Sequence, residues 1–160
     1  MGIGKIDTLV GSKSKDDPVL LTFMERKARF EIMFKIYQKS QQNYVDEAMK
    51  QLYERLGDRA TSIFKTMTSD NGSEFAGIYE MLTDITDVYF AHPYASYERG
   101  AKENQHNLIR GFIPKGKRLA DISANTINQI QQWINNIPRK ILDYLPAKEA
   151  FINEIQSLAS

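Results

Sequence analysis

Val19-Leu20-Leu21-Thr22-Phe23-Met24 is a nearly continuous apolar run set between two polar turns. A strand that reads this way is covered on both faces, so it belongs inside a sheet whose two sides are packed. On its amino side, Gly11 to Pro18 collects Gly, Ser, Lys and Asp, the composition of a turn. Before that turn, Lys5-Ile6-Asp7-Thr8-Leu9-Val10 predicts another strand, with Ile6, Thr8 and Val10 on one face and Asp7 on the other. On the carboxyl side, a short charged turn at Glu25-Arg26-Lys27 leads into alternation. Phe30, Ile32, Phe34 and Ile36 face one way, with Arg29, Glu31 and Lys35 opposite. Three successive strands joined by short turns predict an antiparallel meander.

Beyond the meander the period changes. Val45, Ala48, Met49, Leu52 and Leu56 recur on one helical face, which predicts a helix over roughly Gln41 to Leu56 with Gly57 as its stop. A fourth strand is predicted near Ser62 to Ser69, ending at Asp70-Asn71-Gly72. A helix carrying Phe75, Ile78, Tyr79 and Leu82 follows, then a short strand at Val88-Tyr89-Phe90 before His92-Pro93-Tyr94. From about Tyr97 the pattern is helical again, with Ala101, Leu108, Ile109 and Phe112 as its apolar stripe and Pro114 as its end. Two further helices are predicted. One spans Ala124 to Asn136, with Ile127, Ile130 and Ile134 inward, Trp133 read as packing and Pro138 as its stop. The other opens at Pro146 and carries Ala150, Phe151, Ile155 and Leu158. The order βββαβαβα plus carboxyl-terminal helices predicts an α/β domain: one five-stranded mixed sheet flanked by helices.

A chain of 160 residues suits one domain, 1–160, with a real core. With 42% hydrophobic and 26% charged residues it reads as an ordinary globular protein. No apolar run approaches the roughly 20 residues that span a bilayer, and Met1-Gly2-Ile3-Gly4-Lys5 lacks the regions of a signal peptide, so a cytoplasmic protein without membrane contact is expected. The absence of cysteine excludes disulfides, thiolate metal sites and cysteine nucleophiles, and with only His92 and His106 a zinc enzyme is disfavoured. The net charge of +1 does not announce a nucleic-acid partner, but its distribution is uneven. Arg99, Lys102, Arg110, Lys115, Lys117 and Arg118 face a single acid, Glu103, across that stretch. They form either a solvated face or a stripe that neutralises phosphates.

Chemistry that needs carboxylates and little else is metal-assisted phosphodiester cleavage. Two or three acids converge on hard cations such as Mg²⁺, which prefer oxygen ligands. Asp7 lies mid-strand opposite the apolar face, Asp70 ends a strand at an Asn-Gly turn, and Glu103 shares a helix side with His106, Asn107 and Arg110. Among 20 acidic residues this spacing alone is modest. The ordinary readings are a solvent-facing strand acid, a turn-forming Asx residue and an exposed helix position.

Longer stretches add to that pattern. Thr68-Ser69-Asp70-Asn71-Gly72-Ser73-Glu74-Phe75 resembles the second-aspartate motif of integrases and DDE transposases. Tyr89 to Gly100, running into Lys102-Glu103-Asn104 and Leu108-Ile109-Arg110, is similar to the third-carboxylate region of the insertion-sequence-thirty family of bacterial transposases. Phe112-Ile113-Pro114-Lys115-Gly116 and Asn135 to Leu142 resemble that family's distal signatures, and Ile6 to Gly11 with Leu21 to Lys27 its first-aspartate block. The resemblance covers nearly the whole chain in order, with 32 residues between Asp70 and Glu103. It implies a ribonuclease-H-like fold, a catalytic triad of Asp7, Asp70 and Glu103 holding two Mg²⁺ or Mn²⁺ ions, and DNA cleavage followed by strand transfer. DNA contacts would come from Arg99, Lys102, His106, Arg110, Lys115 and Lys117, and the family's habits allow a homodimer. Two alternatives remain: a nuclease of the same fold without strand transfer, and a catalytically silent DNA-binding or assembly module. Tyr97 stands where tryptophan is common, Lys102 where asparagine is usual, and His106-Asn107 where the family usually has Asn-Gly. Family members carry a helix-turn-helix region ahead of this core, and Asp7 is only six residues from the start, so an excised core is expected.

Overall fold

The structure, a computed structural model, describes residues 3–37, 51–52, 54–63, 66–69, 87–90 and 106–158. Strands β1 (Ile3–Val10), β2 (Val19–Glu25) and β3 (Phe30–Ile36) form the antiparallel meander in continuous register, with Ile6 opposite Phe23 and Phe23 opposite Ile32. The β2–β3 turn is shaped by a side chain. The buried Glu25 carboxylate accepts the backbone N–H groups of Lys27 (3.1 Å) and Ala28 (2.7 Å), while Arg29 takes a left-handed φ of 59°.

Strands β4 (Thr66–Ser69) and β5 (Asp87–Phe90) join in parallel on the other side of β1, giving one sheet in the order β3-β2-β1-β4-β5. Parallel neighbours need a crossover. Helical residues 51–52 and 54–56 (α1) and a 3-10 turn at Gly57–Arg59 lead into α2 (Ala60–Ile63), ahead of β4. The fourth strand is therefore shorter than the span near Ser62 to Ser69 predicted above. Gly57, at φ 59°, does end α1, but the chain re-enters a helical turn that places Ile63 fully inside the core. The predicted helix carrying Phe75 to Leu82, and most of the Gln41–Leu56 helix, lie outside the described residues.

Alternation along the strands builds two cores. Ile6, Leu21, Phe23, Ile32 and Phe34 share one face with Leu52, Ile63 and Phe151. Leu9, Leu20 and Met33 share the other with Ile109, Ile113, Leu119, Ile127, Ile130 and Ile134. The second face is covered by α3 (helical residues 106–112) and α4 (Ala124–Asn136), whose predicted bounds match. Ser123 caps α4 by accepting the Thr126 N–H. Pro146 directly precedes α5 (Ala147–Leu158), which stacks Phe151 on Phe30 at 4.2 Å and pairs Glu154 with Lys27 at 2.8 Å.

Helix α4 also solves an edge problem. β3 ends the sheet, and an exposed strand edge presents unpaired N–H and C=O groups. Gln131 Oε1 accepts the Met33 N–H (2.9 Å). One turn on, buried Asn135 accepts the Glu31 N–H (2.9 Å) and donates to the Glu31 carbonyl (2.8 Å). Two amides thus stand in for a missing sixth strand.

Two expectations need correcting, and one element was not foreseen. Trp133 is half exposed, edge-on to Phe112 at 4.8 Å on the outer side of α3 and α4, because the isoleucines at 127, 130 and 134 already fill the inward face. Leu158, at the end of α5, is exposed rather than inward. The stretch between the last two helices is a two-stranded ribbon, β6 (Pro138–Arg139) with β7 (Leu145–Pro146), closed by left-handed Asp143 and Tyr144.

Candidate functional site

Asp7 sits midway along β1, the middle strand of the sheet, opposite Thr22 of β2. It is buried, which sets aside the solvent-facing reading. Its Oδ1 accepts the Thr8 N–H at 2.9 Å, and its backbone carbonyl accepts the Thr22 hydroxyl at 3.3 Å. A carboxylate in the middle of a sheet needs polar company, since burying an uncompensated charge costs several kcal/mol or more.

That company arrives on α3. Ile109 and Ile113 are fully buried in the second core, and full burial of an isoleucine contributes roughly 1.5–3 kcal/mol. The helix is thus held down by its apolar side. Positions 106 and 110 flank that side, so both polar groups turn toward the sheet. His106 Nε2 lies 3.2 Å from Asp7 Oδ2. The two are within ion-pair distance, but their angles do not make a hydrogen bond. Arg110 donates from its guanidinium to the Val10 carbonyl at 2.9 Å, which pins the helix to the end of β1, and burial lowers the guanidinium below its ordinary pKa.

The carboxyl end of β1 runs into a tightly fixed loop. Gly116 N–H donates to the Gly11 carbonyl at 2.8 Å, and a Cβ at Gly11 would collide with the Lys117 carbonyl oxygen, so only glycine admits this approach. Buried Asp17 secures the same junction. Its carboxylate accepts Leu119 N–H (3.0 Å), Ala120 N–H (2.9 Å), and the Ser12 N–H (3.3 Å) and hydroxyl (3.1 Å). Burial alone would raise its pKa, but these hydrogen bonds outweigh it and hold the carboxyl below the ordinary value. Lys115 and Lys117 stand exposed on this loop.

Of the residues singled out in the sequence, the structure brings Asp7 and His106 together, turns Arg110 back onto β1, and leaves Lys115 and Lys117 open to solvent. Asp70, Glu103, Arg99, Lys102 and His92 lie outside the described residues. The last described β1–β4 pair is Lys5 with Thr68. In sequence number, Asp7 and Asp70 each follow that pair by two positions. Among the described residues no three acids or histidines gather as a metal cluster. The donor set present, a buried carboxylate oxygen beside an imidazole nitrogen, nonetheless suits a divalent cation. Asp17 escaped the sequence reading because its partners stand 102 and 103 residues away, where no local pattern reaches.

No family model matches the chain. Over 150 residues, 94% of its length, it is 37% identical to a probable transposase for insertion-like sequence element IS1161 from Streptococcus salivarius. It is 29% identical over 144 residues to the transposase of insertion sequence element IS30C from Escherichia coli. It spans 41% and 36% of those two proteins. Among solved structures, the catalytic core domain of BIV integrase superposes with a TM-score of 0.68 at 15% identity, covering 99% of this chain and 98% of that one. A simian T-cell lymphotropic virus intasome chain gives 0.68 at 12% identity, covering 93% and 53%. The expected integrase-core, ribonuclease-H-like fold is therefore the fold observed.

Proposed function

We propose, from the chain's kinship along nearly its whole length with the IS30-type insertion-sequence transposases, that it is a transposase catalytic core performing metal-dependent DNA strand cleavage and strand transfer. The observation that carries this reading is the burial of Asp7 on the middle strand of an integrase-core sheet, beneath the helical residues 106–112. A carboxylate is retained there against the desolvation it suffers, as a cation ligand would be.

In this reading Asp7, Asp70 and Glu103 hold Mg²⁺ or Mn²⁺. The parallel register of β1 and β4 supports pairing the first two, since both stand the same distance past the last described pair. Bound divalent ions, two in the active complex, would supply charge for an in-line phosphoryl displacement. The chain's own residues do the rest. β1 fixes the Asp7 carboxylate through Thr8 N–H. The apolar side of α3 excludes water from one flank of it. Lys115 and Lys117, exposed past the carboxyl end of β1, neutralise DNA phosphates. The substrates would be transposon ends and target DNA.

The test is nicking and joining of transposon-end DNA by the complete protein with Mg²⁺ or Mn²⁺. Joined products that vanish in Asp7→Asn and Asp70→Asn support the reading. Nicked products alone would favour a nuclease, and joining that survives Asp70→Asn overturns the assignment of Asp70.

A further inference from the structure

We infer that His106 is a nitrogen ligand of the cation held by Asp7, which makes this a mixed nitrogen–oxygen site rather than a purely carboxylate one. The inference rests on the functional reading above and deepens it. His106 Nε2 and Asp7 Oδ2 are 3.2 Å apart. Two adjacent ligands of an octahedral ion, each bound at about 2.1 Å, stand roughly 3 Å from one another. The observed spacing is that of a ligand pair.

The angles support the same conclusion. Buried polar atoms in folded proteins almost always find a hydrogen-bond partner. His106 Nε2 is buried and has none, although a carboxylate oxygen lies within reach. The ring is not aimed at Asp7 as a donor; nitrogen and oxygen sit side by side, as two donors to one third atom would. Nor is the ring held loosely. Ile109 and Ile113 bury the same helix face, and Arg110 ties it to Val10, so the imidazole is placed before any ion arrives. Pre-placement of this kind distinguishes a built ligand from a passing surface histidine.

An imidazole ligand changes which ions are preferred. Mg²⁺ favours oxygen donors, whereas a nitrogen donor raises affinity along the first-row transition metals. The site should therefore favour Mn²⁺ and Co²⁺ over Mg²⁺ more strongly than carboxylates alone would.

The test uses the 160-residue chain loaded with Mn²⁺ and pulsed electron paramagnetic resonance, which reads nitrogen nuclei bound to the ion. Wild type should show histidine nitrogen coupling that changes on ¹⁵N-histidine labelling and disappears in His106→Asn. By calorimetry, His106→Asn should weaken Mn²⁺ by at least about tenfold, since even loss of an outer partner costs 10–100-fold, while Mg²⁺ changes far less. Absence of nitrogen coupling in the loaded wild type overturns the inference without needing any variant to fold. An equal loss for both ions also overturns it. Mn²⁺ binding that is lost in Asp7→Asn but carries no nitrogen coupling sinks the ligand role of His106 and leaves the functional reading standing. Mn²⁺ binding unchanged in Asp7→Asn sinks both.

Discussion

Asn135 is the residue on which the edge of the sheet depends, and replacing it with alanine isolates that role. The substitution leaves the Glu31 N–H and C=O without their partners at 2.9 and 2.8 Å, beneath a helix where Asn135 is only 3% exposed. Each buried polar group left unsatisfied costs about 1–3 kcal/mol, so the pair costs roughly 2–6 kcal/mol. Against a typical domain stability of about 5–15 kcal/mol that is a large share. With a urea slope of about 2 kcal/mol per molar, the unfolding midpoint should fall by roughly 1–3 M. Asn135→Asp sharpens the test. It keeps an acceptor for the Glu31 N–H but sets a carboxylate oxygen against the Glu31 carbonyl. Only the protonated acid can donate there, so folding raises the pKa of the introduced carboxyl. The stability this contributes is present below the ordinary value of about 4 and is lost as pH rises through the folded value. The Asp variant should thus approach wild type in acid and fall away at neutral pH. Exposed Gln132→Ala serves as control and should stay within about 0.5 kcal/mol. An Asn135→Ala variant as stable as that control, or an Asp variant whose deficit ignores pH, would refute the role assigned to α4.

Other outcomes follow from the same contacts. Asp17→Asn keeps one acceptor oxygen and loses the charge, so chemical denaturation at pH 7 should show a loss of about 1–3 kcal/mol. Because folding lowers the Asp17 pKa, this stabilisation is present above the ordinary carboxylate value and lost as pH falls through the folded one, and the variant should converge on wild type in acid. Gly11→Ala should lower the melting temperature through its collision with the Lys117 carbonyl, at a cost of about 1–3 kcal/mol. Gly116→Ala meets open space, but at φ 90° it should still cost about 1–2 kcal/mol. If Lys115 and Lys117 meet DNA, changing each to glutamine should weaken binding regardless of sequence and reduce the salt slope by about 0.9 per lost contact.

Much of the fold was legible where chain chemistry is local. The apolar run at Val19–Met24 announced a strand packed on both faces, and β2 is buried along its whole length. Pro138 stands just past α4, where a breaker was expected. Legibility failed where distant backbone decides. Nothing near Asn135 or Asp17 tells that their partners lie about a hundred residues away. The β6–β7 ribbon was hidden because its prolines read as helix punctuation and its turn puts Asp143 and Tyr144, not glycine, in left-handed conformations. At the site, strand alternation placed Asp7 on the correct face, but its burial and the approach of His106 depend on how α3 docks. The assignments of Asp70 and Glu103 rest on family resemblance, and both residues lie outside the described structure.

The most direct measurement is anomalous diffraction from crystals of the chain soaked in Mn²⁺. The account predicts an ion within about 2.1–2.3 Å of the Asp7 carboxylate, with a carboxylate oxygen of Asp70 or Glu103 completing its shell. Manganese bound only elsewhere, with Asp7 untouched at saturating concentration, would contradict it.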